Sequence, residues 1–232
     1  MPSAGKPLAG AGVSFAMVRI GIIGAGHIGG NVARLAARAG HDVTVSFARD
    51  EAKLRALADE IGAEVATPAK TAETSDIVVL SVPWRALPEA LAQAGDLAGK
   101  IVIDTTNQFG AGPMPAAGQT AASFNAARMP GARYTKSFNT LTSAFQARVA
   151  GRAERVVQWI CGDDAEAKRA VAELIEQLGY QPVDVGGTAE CAVMEAPRRP
   201  GAVYGEEYRE ADARLVVEAV RGGRPIPPAP RY

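Results

Sequence analysis

The run Ile20-Gly21-Ile22-Ile23-Gly24-Ala25-Gly26-His27-Ile28-Gly29-Gly30 constrains this chain more than any other stretch. Met17 to Ile23 is short, β-branched and apolar apart from Arg19 and Gly21, as expected of a strand buried on both faces. It enters Gly24-x-Gly26-x-x-Gly29, and Ile28 to Ala39 then carries apolar residues at helical spacing. Gly24 permits a sharp turn, Gly26 lets backbone N–H groups approach a pyrophosphate, and Gly29 allows the helix to pack closely on the strand. The helix N-terminus adds partial positive charge. With His41 to Ser46 as a second strand after Gly40, the unit reads as βαβ and implies a dinucleotide site.

The pattern continues. Asp50 to Ile61 predicts an amphipathic helix with Asp50 as N-cap and Gly62 ending it, Glu64 to Ala66 a short strand, and Pro68 to Thr74 a short helix. Asp76 to Val82 is a strongly apolar strand closed by Pro83-Trp84, Ala86 to Ala94 a helix, and Lys100 to Asp104 a fifth strand. Strands alternating with helices at this spacing predict an α/β fold, a Rossmann-type doubly wound, mainly parallel sheet. Ligand-facing residues then belong at the C-terminal strand ends, which nominates Gly24, Ser46, Ser81 to Trp84 and Asp104 to Asn107.

Thr105 to Ala132 lacks sustained periodicity, apart from a short helix expected near Ala121 to Ala127, and should skirt the site. Beyond it come strands at Arg133 to Phe138, Val156 to Cys161 and Gln181 to Val185, with helices at Thr140 to Gln146 and Ala165 to Leu178, so that the sheet extends into a small C-terminal α/β portion. A helical stretch from Thr188 carries Cys191, Val193 and Met194, and Arg209 to Val220 is helical again. The chain therefore divides into a disordered extension (1–16), a nucleotide-binding half (17–132), a C-terminal α/β portion (133–221) and a Pro-rich, disordered tail (222–232).

Composition excludes several classes. Twenty-five basic side chains balance twenty-five acidic ones, which offers nothing to nucleic acid or an acidic membrane. No apolar run is long enough to span a bilayer, and Cys161 and Cys191 lack metal-ligand spacing, as in a reduced cytoplasmic protein without a metal site. At 232 residues a homodimer would help to cover the C-terminal helices and the acceptor site.

The cofactor's identity turns on the end of the second strand. NAD sites place a carboxylate there, whereas Val45-Ser46-Phe47-Ala48-Arg49 offers none before Asp50. Ser46 and Arg49 suit a ribose 2′-phosphate, favouring NADP(H); the other reading of Arg49 is a solvated residue at a helix start. The two histidines, His27 in the glycine loop and His41 before the second strand, lie too early to act as a distal base. Lys136 is the best-placed lysine for that task, or else a solvated edge residue. Such a chain suits hydride transfer that needs no strong protein acid or base.

Gly24 to Gly29, Asp76 to Trp84 (DIVVLSVPW), and Cys161-Gly162-Asp163-Asp164 followed by a helix and Gln181 to Gly186 (QPVDVG) together resemble the NADPH-dependent reductases of the deazaflavin coenzyme F420, over roughly Met17 to Val220. Lys136-Ser137-Phe138-Asn139-Thr140 also resembles the cytosolic oxidoreductase domain of membrane ferric reductases. The resemblance implies hydride exchange between NADP(H) and C5 of the deazaflavin. Ala25, Gly26, His27 and Ile28 would hold the pyrophosphate, Ser81, Val82 and Pro83 would border the nicotinamide ribose, and Asn139, Thr140 and Leu141 would lie between the two rings, none of them as acid or base. The chain departs from the family pattern in the Phe47-Ala48 insertion before Arg49, in Asn139 where archaeal members carry histidine, and in the break at Glu195 to Gly205. Arg198 and Arg199 there are either partners for the acidic F420 tail or a solvated basic turn. Two alternatives stand beside this reading: an NADPH-dependent reductase of a flavin or other small acceptor, and a non-catalytic NADP(H)-binding redox sensor.

Overall fold

A computed structural model describes residues 17–232 except Ala48 and Arg199. The expected extension at 1–16 lies outside the described residues. Five strands follow one another from the N-terminus as β1 (Arg19–Ile23), β2 (Asp42–Ser46), β3 (Glu64–Val65), β4 (Ile77–Leu80) and β5 (Ile101–Asp104), with β6 (Arg133–Lys136), β7 (Val157–Cys161) and β8 (Gln181–Gly186) after the long loop. All eight form one sheet in the order β3-β2-β1-β4-β5-β6-β7-β8. Strands β1 to β6 are parallel, while β7 runs antiparallel to β6 and parallel to β8.

Helices cover both faces because the central strands are apolar on both. In β4, Val78 and Leu80 enter one core and Ile77 and Val79 the other, as the two-residue repeat of a strand requires. Helices α1 (His27–Arg38), α2 (Glu51–Ile61) and α7 (Ala165–Gln177) bury Val32, Leu54, Leu57, Val171 and Leu174 on the Ile77 side. The opposite face takes α3 (Pro68–Thr74), α4 (Leu87–Ala94), α5 (Ala121–Ala126) and α8 (Glu210–Arg221), with Ala72, Leu87, Ala122 and Val216 among its buried residues. Helix α6 (Ser143–Val149) follows β6.

The join between β6 and β7 shapes the site. It is a single bridge between their last residues, Lys136 and Cys161, so the rest of β7 continues past the end of β6 alongside residues 137–140. Ser137 Oγ donates to the Trp159 carbonyl at 2.7 Å across that overlap. The β7–β8 pair thus forms a side wall above the C-terminal edge of the parallel strands.

Three local expectations change. The stretch from Thr188 is not an α-helix but a five-residue 3-10 helix, Glu190–Met194. The strand begun at Arg133 stops at Lys136, since Phe138 takes a left-handed conformation (φ 57°). The tail, expected to be disordered, forms no regular element yet packs back: Ile226 and Ala229 lie on the core, and Tyr232 Oη accepts the Arg209 N–H at 2.9 Å and donates to Asp212 at 2.6 Å. Two apolar side chains and two hydrogen bonds hold what composition alone marked as tail. Among the described residues no helix is long and apolar enough to cross a membrane.

Candidate functional site at the C-terminal strand edge

The loop after β1 is knitted to its neighbours by backbone bonds. Gly24 N–H donates to the Ser46 carbonyl at 3.0 Å and Ser81 N–H to the Ile23 carbonyl at 2.9 Å, which ties together the ends of β1, β2 and β4. Gly24 has φ 105°, and a Cβ there would overlap the Ser81 carbonyl. Gly29 is needed for closeness rather than conformation, because a Cβ would collide with the Gly24 carbonyl and crowd the Ser81 side chain. Gly26 differs: a Cβ there meets nothing within 4 Å, so the space above it is open.

That space faces the start of α1, which Gly26 caps without a side-chain hydrogen bond and whose first turn has no acidic residue. By contrast Asp50, Thr67, Thr120, Thr142 and Asp164 each cap their own helix through a side chain. The His27, Ile28 and Gly29 N–H groups, at the positive end of a twelve-residue helix, are therefore presented to a ligand. Ala25 and Ile28 are half-buried and His27 is exposed beside them. A pyrophosphate fits this cradle by both shape and charge.

At the end of β2 the two nominated residues separate. Ser46 is fully buried and its hydroxyl donates to the Ile22 carbonyl at 3.2 Å, so it faces into the sheet. Phe47 then adopts φ 53°, and Arg49 emerges exposed. Asp50 is committed to its helix, accepting the Lys53 N–H at 3.1 Å, a role that competes with binding a ribose hydroxyl. A phosphate on the 2′ position fits this corner better than a free hydroxyl does.

The far side of the site is built from the ends of β4, β5 and β6. Ser81 is half-buried, Val82 buried and Pro83 exposed; Thr105 Oγ1 lies 3.1 Å from Ser81 Oγ and 3.3 Å from the Leu80 carbonyl. Asn107 and Asn139 lock the β5 and β6 loops together: Asn107 Nδ2 donates to the Asn139 backbone carbonyl at 2.8 Å, and Asn139 Nδ2 donates to Asn107 Oδ1 at 3.2 Å and to the Met194 carbonyl at 2.9 Å. The Gly205 N–H donates to the Thr140 carbonyl at 2.7 Å, and Leu141 is buried beside them. Two oxygens in this wall, Asn139 Oδ1 and Thr140 Oγ1, are buried without a hydrogen-bond partner. An unpaired buried polar atom costs about 1–3 kcal/mol, so these two adjacent residues stand to gain from a polar partner.

Residues 19–108, which carry the glycine loop, Arg49 and the β4 and β5 ends, match the family described as NADP oxidoreductase, coenzyme F420-dependent. This segment is an NADP oxidoreductase domain of that family. A hypothetical protein of Sinorhizobium meliloti has the same fold with a TM-score of 0.73 and 29% identity, covering 84% of this chain and 96% of its own. A protein of Arthrobacter sp. FB24 assigned as an F420-dependent NADP-reductase follows at TM-score 0.65 and 26% identity, over 75% of this chain and 87% of its own. Metalloreductase STEAP3 of Rattus norvegicus is 27% identical over 179 residues, 77% of this chain, but the match spans only 36% of that longer protein. The fold and its relatives are those of NADP-dependent oxidoreductases.

At the ends of β5 and β6 lies a polar cluster of which the sequence singles out Asp104, Thr106 and Lys136. Asp104 and Lys136 are register partners on β5 and β6, both fully buried, with Lys136 Nζ 3.2 Å from Asp104 Oδ2 and 2.6 Å from the Thr106 carbonyl. Tyr134 Oη (2.6 Å) and Asn125 Nδ2 (2.8 Å) donate to the same carboxylate oxygen, and the Thr106 N–H (2.7 Å) donates to the other. Burial opposes charge on both groups. Lys136 and the surrounding donors outweigh it and hold Asp104 below the usual carboxylate range, while Asp104 holds Lys136 above the usual lysine value. Lys136 is thus neither a solvated edge residue nor a group with access to solvent protons, but an enclosed structural ammonium. The involvement of Tyr134 was legible from its spacing of two from Lys136, which puts both on one strand face. Asn125 carried no comparable signal, since its role depends on where the long loop returns. Arg198 is exposed and ion-paired with Glu206, and Arg199 lies outside the described residues.

Proposed function

We propose that this chain transfers hydride between NADP(H) and a deazaflavin of the coenzyme F420 type. The observation that carries the reading is the character of the acceptor wall: unpaired amide and hydroxyl oxygens at Asn139 and Thr140, over an Asp104–Lys136 pair sealed from solvent. NADPH bound in this site supplies the hydride from its nicotinamide ring. The chain's own tasks are to hold the pyrophosphate at Gly24 to Gly29, to set Arg49 against a 2′-phosphate, to align the nicotinamide ribose along Ser81, Val82 and Pro83, and to fix the two rings against Asn139, Thr140 and Leu141. Positioning of this kind is a sufficient catalytic contribution when both partners are ready-made hydride carriers. Oxidation of an alcohol would ask for a proton acceptor in the wall and reduction of an imine for a proton donor, roles that the enclosed Lys136 does not suit.

A second reading, favoured by the likeness to metalloreductase STEAP3, keeps NADPH and gives the reducing equivalents to a flavin or another small acceptor. The two separate when purified protein is mixed with NADPH and oxidised F420, with FMN and FAD in parallel. Rapid loss of F420 absorbance, absent with NADH, is the expected result. Saturable NADPH binding without reduction of F420 would overturn the deazaflavin assignment, and reduction of FMN or FAD instead would move it to the second reading.

A further inference from the structure

Two aromatic side chains stand next to the anchors of the acceptor wall and take no part in the site so far described. Phe109 follows Asn107 by two residues, and Asn107 is held to Asn139 by the reciprocal amide bonds. Tyr204 immediately precedes Gly205, whose N–H is bound to the Thr140 carbonyl. Chain segments nearly a hundred residues apart are thus fastened to the two residues that carry unpaired buried oxygens, and their rings meet, with centroids 6.0 Å apart at an interplanar angle of 62°. Phe109 remains 53% exposed and Tyr204 is half-buried. The loop bearing Phe109 is itself secured: Trp84 Nε1 donates to the Pro113 carbonyl at 2.8 Å, and the Trp84 ring stacks on Phe124. A large apolar ring kept near solvent by a fixed loop has little to gain in the free protein, because its burial is incomplete and its contact is edge-on.

We propose that Phe109 and Tyr204 form an aromatic clamp that takes the planar ring system of the acceptor, with the imide N–H of that ring donating to Asn139 Oδ1 and the Thr140 hydroxyl donating to a neighbouring ring carbonyl. This rests on the reading of the site as one for a deazaflavin or flavin, and it adds the residues that select a flat, polycyclic acceptor over a small or non-planar one. The same two observations point in one direction: rings to cover an aromatic face, and buried oxygens that lack partners. In the free protein Phe109 and Tyr204 meet edge-on, and an entering ring exchanges that contact for stacking.

The test uses the full chain saturated with NADP+ and reads the fluorescence of 5-deazariboflavin, which stacking on an aromatic side chain quenches. Quenching titrations give the acceptor Kd without requiring turnover. Phe109→Ala and Tyr204→Ala should each weaken that Kd about five- to tenfold, while the NADPH Kd stays within twofold and Phe109→Tyr and Tyr204→Phe restore binding. Phe109 is half-exposed, so its alanine variant tests the clamp without a folding defect. An unchanged acceptor Kd in both alanine variants would overturn the clamp, as would a wild-type protein that does not quench. Quenching that the variants lose, without turnover of F420, would overturn the deazaflavin reductase reading and leave the clamp standing.

Discussion

Replacing Lys136 by Met keeps most of the apolar stem and deletes the ammonium that faces Asp104. The carboxylate left behind is fully buried and keeps three donors, from Tyr134, Asn125 and the Thr106 backbone, but no counter-charge. Removing one member of a buried ion pair costs about 3–5 kcal/mol, and a chain of this size loses about 2–4 °C in Tm per kcal/mol, so a drop of about 6–20 °C is expected. The pH dependence follows from the direction of each shift. In the wild type Asp104 titrates below its unfolded value, so its stabilisation is complete above the ordinary carboxylate range and is lost only as the pH falls through its depressed folded pKa. In Lys136→Met burial acts on Asp104 with no cation to oppose it, so its pKa rises and the variant loses stability as the pH climbs from 4 to 7. Asp104→Asn combined with Lys136→Met removes both charges and should recover at least about 2 kcal/mol relative to the sum of the single losses. Urea unfolding followed by circular dichroism at pH 4 and 7 measures all four proteins. Additive single losses, or a Lys136→Met penalty that does not grow towards pH 7, would refute the view of this pair as a coupled buried ion pair.

Arg49→Ala should weaken NADPH binding about ten- to a hundredfold, the worth of a charge-assisted bond to phosphate, and leave NADH binding unchanged; equal loss for both cofactors in a fluorescence titration would remove Arg49 from the 2′-phosphate. Gly29→Ala and Gly26→Ala should part company: the first forces a Cβ onto the Gly24 carbonyl and costs about 1–3 kcal/mol of stability, whereas the second has open space, keeps its Tm and loses NADPH affinity. Equal melting temperatures for the two would contradict the packing role of Gly29. Deleting residues 224–232 should lower stability by about 2 kcal/mol, since it uncovers core beneath Ile226 and Ala229 and breaks the Tyr232 bonds to Arg209 and Asp212; an unchanged thermal melt would return the tail to the status of an idle extension.

The nucleotide half was legible because its signals are local. Gly24, Gly26 and Gly29 have spacing that only a tight strand-to-helix turn explains, and the structure adds which of them serves conformation, which closeness and which open space. Asp50 before an amphipathic run announced its cap, and the capping bond to Lys53 is present. Reading failed where long-range packing overrode local preference. Ser46 looked available because serine is polar, yet its place at the end of β2, beside β1, turned it to the Ile22 carbonyl. Lys136 reads from sequence as either a distal base or a solvated edge residue, and its register opposite Asp104 enclosed it instead. The tail looked disordered on its prolines alone, and Tyr232 at its end found Arg209 and Asp212.

By itself the amino-acid sequence determined the alternation of strands and helices, the glycine loop with its bare helix start, the absence of a carboxylate between Ser46 and Asp50, and hence an NADP-type site. Each depends on neighbours within about a dozen residues, where backbone sterics and periodicity suffice. The tertiary structure alone decided the antiparallel turn of β7 past the end of β6, the convergence of Asn107, Asn139, Met194 and Gly205 on one wall, the unpaired oxygens left in that wall, and the meeting of Phe109 with Tyr204. Those features join segments between about 25 and about a hundred residues apart. Contacts at such separations are selected by the packing of the whole sheet, and no local preference of the residues involved encodes them.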